Sequence, residues 1–247
     1  MGRFEGKLVL LVGGYSGIGG AAARRLAEEG ASLVLLGRQE EKLRETLARL
    51  PGSGHEIVVA DAAFSEQLQP AVQIGRKRGG YAGGVVCAGS HTVRPLSMLN
   101  REGIAQAFEA NVTTALLATG ALAKAAAKEG GSMVWLSSVA ALRGTATFAA
   151  YAAAKGALIS AARVAAIELA PRRIRVNVIA AGVVETPMSA GWLAMLNEEQ
   201  KTALKQRHLL GIGKPEDLAG VIAFLLSDDA RWMTGSVVTA DGGLAAQ

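Results

Sequence analysis

The apolar run Lys7 to Val12 (KLVLLV) passes directly into Gly13-Gly14-Tyr15-Ser16-Gly17-Ile18-Gly19, and a helical stretch, Ala21 to Glu29, follows at once. This strand, glycine turn and helix constrain the fold more than any other stretch. A short, unbroken apolar run reads as a strand buried on both faces. Glycines 13, 17 and 19 allow a tight turn, and they let backbone N–H groups approach a pyrophosphate at the helix N-terminus.

The same alternation continues to the end of the chain. Apolar runs of strand length fall near 7–13, 32–37, 55–60, 83–88, 131–137, 174–180 and 236–240, and helical patterns near 17–29, 39–50, 65–78, 101–129, 150–170 and 215–227. Such an order predicts an α/β fold, a parallel seven-stranded sheet with helices on both faces. Right-handed crossovers make it a doubly wound Rossmann arrangement with ligand at the carboxyl ends of the strands. No Pro/Ser-rich linker or charge run divides the 247 residues, so residues 1–247 are expected to form a single domain. The glycine turn, Gly37-Arg38, Asp61, Ala88-Gly89, Ser138 and Gly182 all fall at expected strand ends, which brings them to one edge of the sheet.

Tyr151 is followed by Lys155 one helical turn later, and Ser138 stands thirteen positions before Tyr151. A phenol is a poor acid at neutral pH, with an ordinary pKa of about 10. An ammonium on the same helix face is expected to favour the phenolate, making Tyr151 a proton donor and acceptor for an alcohol–ketone pair. Ser138 is placed to hold the same oxygen where negative charge develops. Ser137 is its neighbour and competitor for that role.

Taken in order, Gly13-x3-Gly17-Ile18-Gly19, Asp61, Ala88-Gly89, Asn111, Ser137-Ser138, Tyr151-x3-Lys155, the stretch Asn177 to Thr186 and Asp241-Gly242-Gly243 make the chain resemble the short-chain dehydrogenase/reductase family, from about Gly6 to Gly243. The resemblance implies a catalytic tetrad of Asn111, Ser138, Tyr151 and Lys155, with Ser138 chosen over Ser137 by its separation from Tyr151 and Asn111 holding a water chain that links Lys155 to solvent. It also implies a nicotinamide dinucleotide lying against Gly13, Tyr15, Ser16, Gly17, Ile18, Gly19, Arg38, Asp61, Ala62, Ala88, Gly89, Tyr151, Lys155, Gly182, Val184 and Thr186. The second strand ends in Gly37 where an acidic residue would bind the ribose hydroxyls of NAD(H), and Arg38 follows, suited to a 2′-phosphate. NADP(H) is therefore expected over NAD(H). Against the family pattern, Val12 stands for a usual Thr, Val86-Cys87 for Asn-Asn, and Ala181 for Pro; none of these is a tetrad position.

The expected substrate is a small carbonyl compound or secondary alcohol. The nearest likeness is to 3-oxoacyl-carrier-protein reductases, in which case the substrate is carried on a protein. Oxidation or reduction of a sugar, polyol or other secondary alcohol is the second reading, and a non-catalytic nucleotide-binding sensor the third. Met188 to Leu210 corresponds to a substrate lid, with Trp192, Leu193, Met195 and Leu196 either lining a pocket or packing the lid. His91, Arg94 and Arg143 sit on loops where they could meet a polar or acidic group. Arg172-Arg173 and Lys124/Lys128 could meet an acidic carrier. The Ala-rich stretches Ala115 to Ala127 and Ala152 to Ala170 are expected to pair across a homotetramer or homodimer interface.

A formal net charge of +5, with Lys and Arg scattered, gives no basic stripe for nucleic acid. Three isolated His residues without ligand spacing predict no metal site. A single cysteine, Cys87, fits a reducing compartment and a buried small hydrophobe. The N-terminal MGRFEGK lacks a signal-peptide core, and no uncharged apolar run is long enough for a membrane span, so a cytoplasmic location is expected.

Overall fold

The computed structural model describes residues 2–91 and 93–247. Strands β1 (Leu8–Val12), β2 (Ser32–Gly37), β3 (Glu56–Val59), β4 (Gly83–Val86), β5 (Gly131–Ser138), β6 (Ile174–Ala181) and β7 (Val237–Ala240) form one sheet in the order β3-β2-β1-β4-β5-β6-β7. Every pairing is parallel. Strand order reverses between β1 and β4, which opens a crevice at their carboxyl ends. The helices are α1 (Gly17–Glu28), α2 (Glu40–Ala48), α3 (Gln69–Lys77), α4 (Arg101–Phe108), α5 (Thr114–Lys124), α6 (Ala149–Leu169), α7 (Pro187–Leu193), α8 (Glu198–Arg207) and α9 (Pro215–Leu226).

Strand period and helix packing explain why β1 is apolar at every position. Leu8, Leu10 and Val12 point to one face, packed with Ala71 and Val72 of α3, Leu122 of α5 and Leu158 of α6. Val9 and Leu11 point to the other, with Ala22, Ala23 and Leu26 of α1 and Leu218 and Ile222 of α9. A strand enclosed on both sides has no solvent face on which to place a polar residue.

Two expectations need correction. The helix expected over 101–129 is broken: α4 gives way to a π turn at Glu109–Thr113 before α5, which ends at Lys124. The side chain of Asn111 accounts for the wider turn, since its Nδ2 donates to the Ala107 carbonyl at 2.8 Å and occupies an acceptor that a helical N–H would otherwise use. Strand β6 runs one residue past its expected end. Ala181 pairs with both Ser138 and Ala240, and this register keeps a backbone N–H that the family's usual proline lacks.

Helix α6 reaches a mean hydropathy of 1.2 over its most apolar window, long and apolar enough by length and composition to cross a bilayer. It carries Lys155, Arg163 and Glu168, however, and packs on the sheet through Leu158, Ala162 and Ala166. The lid stretch contains two helices that apolar periodicity did not reveal. Thr186 and Ser189 cap α7 reciprocally, as Asn197 and Gln200 cap α8.

Candidate active site

Every tetrad and cofactor-contact residue singled out from the sequence lines one cavity of about 660 Å³ at the carboxyl edge of the sheet. The glycine turn forms its floor. Gly13 holds φ of 80°, and a methyl there would lie 2.6 Å from the Ala88 nitrogen, so only glycine lets this turn pass so close to the end of β4. Ser16 stands at the N-cap of α1 in extended geometry without a side-chain cap bond, and it lines the cavity together with Gly17, Ile18 and Gly19 of the first helical turn, whose N–H groups have no partner within the helix. These features fit a bound dinucleotide pyrophosphate.

At the adenosine end a methyl on Gly37 would stand 2.5 Å from the Tyr15 ring, leaving no space for an acidic side chain at that position unless the ring moves. Arg38 is 71% exposed and lies 3.6 Å from Asp61. An exposed pair of this kind contributes about 0–1 kcal/mol, so the guanidinium can be recruited by a phosphate.

At the reacting end, β5 delivers both serines and the structure separates their roles. Ser137 is buried and its Oγ donates to the Lys155 carbonyl at 2.8 Å, so it braces α6. Ser138 is half-buried, and its Oγ accepts from the Ala140 N–H at 3.2 Å, so its hydroxyl proton is the part of the group that turns toward the Tyr151 oxygen or a substrate oxygen. Phe148, at the N-cap of α6, meets Tyr151 edge-on at 5.8 Å between centroids and Trp192 of α7 at 5.9 Å.

Lys155 is only 6% exposed. Its Nζ donates to the Leu136 carbonyl at 2.7 Å and lies 5.7 Å from the centroid of the Tyr151 ring. Burial lowers its pKa to about 8. The expected acidification of Tyr151 by this ammonium is absent: burial raises the phenol, and the opposing influence is the Ser138 hydroxyl rather than Lys155. The cause is geometric, since Nζ stands over the ring and spends a hydrogen bond on a backbone carbonyl. The group with a proton poised near neutral pH is therefore the lysine.

Asn111, 1% exposed, donates to the Ser90 and Ala107 carbonyls at 3.0 and 2.8 Å, while its Oδ1 is buried without a partner. A methyl on Gly89 would be 2.5 Å from this Oδ1 and 3.3 Å from Lys155 Nζ, so both groups face the same small space. An orphaned acceptor beside an amine is the arrangement that a bridging water satisfies. Cys87, beneath the glycine turn, has its thiol pushed up to about 12 by burial, in keeping with an inert role.

Other expectations divide. Trp192, His91 and Arg143 line the cavity, whereas Leu193, Met195, Leu196 and Arg94 do not. Arg172 and Arg173 precede β6, and Lys124 and Lys128 precede β5, so this basic cluster lies at the amino edge of the sheet, away from the cavity. Thr186 lines the cavity but already uses its hydroxyl to cap α7. Phe148, Arg207 and Leu244 line it without having been singled out; their positions depend on tertiary packing that no local motif announces. No group of three or more His, Cys, Asp or Glu suited to a metal occurs among the described residues.

A family profile described as Enoyl-(Acyl carrier protein) reductase matches residues 13–245. An uncharacterized oxidoreductase of Methylorubrum extorquens is 37% identical over 251 residues, covering 99% of this chain and all of that protein. The glucose 1-dehydrogenase of Gluconobacter oxydans is 33% identical, covering 98% of this chain and 93% of its own length. Among solved structures, a short-chain type dehydrogenase/reductase from Mycobacterium ulcerans superposes with a TM-score of 0.90 at 30% identity, over 99% of this chain and 91% of that one.

Proposed function

The chain belongs to the short-chain dehydrogenase/reductase family, and from that premise we propose that it is an NADP(H)-dependent ketoreductase, interconverting a carbonyl compound and a secondary alcohol. The observation that carries this reading is the convergence of Ser138, Tyr151, Lys155 and Asn111 on one cavity whose other end is the glycine turn. A bound nicotinamide supplies hydride in reduction and accepts it in oxidation. Ser138 donates its hydroxyl proton to the substrate oxygen and so orients the carbonyl. Tyr151 delivers a proton to that oxygen as negative charge develops there, and Lys155, through a water held at Asn111 Oδ1, restores the proton. A nucleotide-binding sensor would have no use for this buried arrangement of an amine and an orphaned acceptor.

Preference for NADP(H) rests on Tyr15 filling the space beside Gly37 and on the exposed Arg38. A 3-oxoacyl type of substrate is supported by the apolar wall of Phe148, Met188 and Trp192. The carrier-protein part of that reading loses support from the basic cluster, which faces away from the cavity. A sugar or polyol substrate is the second reading, favoured by likeness to the glucose 1-dehydrogenase. Exposed apolar residues on α6 (Val164, Ile167) and on α4 and α5 (Ile104, Phe108, Leu116) support a homodimer or homotetramer. Oxidation of NADPH against acyl thioesters, sugars, oxo acids and simple ketones tests the assignment; a folded, NADPH-binding chain inert to all four classes would contradict it.

A further inference from the structure

We propose that the substrate carries a carboxylate and that Arg143 holds it, an inference that rests on the cavity being a carbonyl-reducing site. Arg143 follows Ser138 by five residues, and its backbone N–H closes a turn on the Val139 carbonyl at 2.9 Å. The half-buried side chain crosses to the C-terminal turn, where Nη1 donates to the Leu244 carbonyl at 2.5 Å. Both residues line the catalytic cavity. One hydrogen bond fixes the guanidinium, and its remaining N–H groups have no acceptor among the described residues.

Comparison with Arg175 shows what a purely structural arginine looks like in this fold. Arg175, also half-buried and without a carboxylate partner, donates to three carbonyls, those of Leu225, Ser227 and Met233. Arg143 is left unsaturated, facing a cavity. Arg207 of the lid helix α8 lines the same cavity, and neither Arg143 nor Arg207 forms an ion pair among the described residues. Of the acids lining the cavity, Asp61 lies 3.6 Å from Arg38 and forms no ion pair with Arg143 or Arg207, and Glu109 is exposed. A guanidinium partly withdrawn from water without a counter-charge is costly, and an arriving anion relieves that cost. Its planar fork matches a carboxylate by two parallel hydrogen bonds. With Phe148 and Trp192 forming an apolar wall, the class of substrate that fits is an oxo acid with an apolar body.

The test compares straight-chain and aryl-substituted 2-oxo and 4-oxo acids, each beside its methyl ester, by NADPH oxidation and by calorimetric titration into the NADPH-loaded chain. For the best acid, kcat/KM exceeds that of its ester by at least about tenfold, since a site built around a polar partner rejects the analogue lacking it. Arg143→Met brings the acid-to-ester ratio toward one, and Arg143→Lys leaves it intermediate. Esters that match their acids in turnover and in binding to the native chain overturn the clamp, with no variant needed. Acids that bind at least about tenfold more tightly than esters through Arg143, yet are not reduced, leave the clamp standing and overturn the ketoreductase reading.

Discussion

Lys155 Nζ lies 5.7 Å from the centroid of the Tyr151 ring and gives its hydrogen bond to the Leu136 carbonyl, 2.7 Å away. The amine thus stands over the face of the phenol instead of beside its oxygen. Burial acts on both groups in opposite directions, raising the tyrosine and lowering the lysine to about 8. In the proposed mechanism this pair stores its mobile proton on nitrogen and passes it through oxygen to the substrate.

A buried ammonium without a carboxylate partner destabilises the fold, so Lys155→Met is expected to be more stable than the native chain while losing activity. The sign follows from linkage. Above the ordinary lysine value of 10.5 both folded and unfolded states hold a neutral amine and no penalty exists. The penalty grows as pH falls and is complete below about 8. Thermal unfolding at pH 7 should show a gain of about 1–3 kcal/mol for the variant, which the lost Leu136 contact keeps below the full linkage value. That gain should shrink between pH 8 and 10.5 as the native chain recovers; a constant difference would contradict the account.

Activity should follow the same proton. Oxidation of an alcohol needs a vacancy on the relay and is expected to rise with pH through about 8, while reduction falls through the same region. Initial rates in both directions from pH 6.5 to 9.5 decide the matter, and flat profiles would remove Lys155 from the relay.

Arg38 pairs only loosely with Asp61, so its removal should cost little stability. Arg38→Ala is expected to raise KM for NADPH by at least about tenfold, the loss of a charge-assisted phosphate contact, and to leave KM for NADH nearly unchanged. Equal effects on the two coenzymes would place Arg38 outside the phosphate site.

His208, 2% exposed, joins the lid to the cofactor loop. Its Nδ1 lies 2.8 Å from the Leu204 carbonyl of α8, and its Nε2 accepts from the Val183 N–H at 3.3 Å. His208→Leu strands that N–H and should destabilise the chain by about 1–3 kcal/mol. Because Val183 lies between Gly182 and Val184, KM for NADPH should rise as well. Denaturant midpoints and coenzyme titration measure the two effects, and a neutral substitution would show that the lid is held elsewhere.

What could be read from the sequence was whatever a strand end or a helical turn places by itself. The glycine turn, Asp61, Ala88-Gly89 and Ser138 converge because parallel strands end on one edge, and alternation alone predicts that. The spacing of Tyr151 and Lys155 put them on one face of α6. Which way Lys155 Nζ would turn was not legible, because the competing acceptor, the Leu136 carbonyl, belongs to β5. The π turn at Asn111 escaped for a related reason: its cause is a side chain reaching the backbone of Ala107 and Ser90, contacts that apolar periodicity does not encode. Phe148 and Leu244 enter the cavity wall only once α6 and the C-terminal turn are docked.

The central claim is that Tyr151 hands its proton to the substrate oxygen, and the most direct test is the single-turnover rate of Tyr151→Phe saturated with NADPH and the best carbonyl substrate. The account predicts a fall of at least about a hundredfold, the range of a positioned general acid, in a variant whose thermal unfolding matches that of the native chain. A folded Tyr151→Phe that reduces the same substrate at the native rate would contradict it.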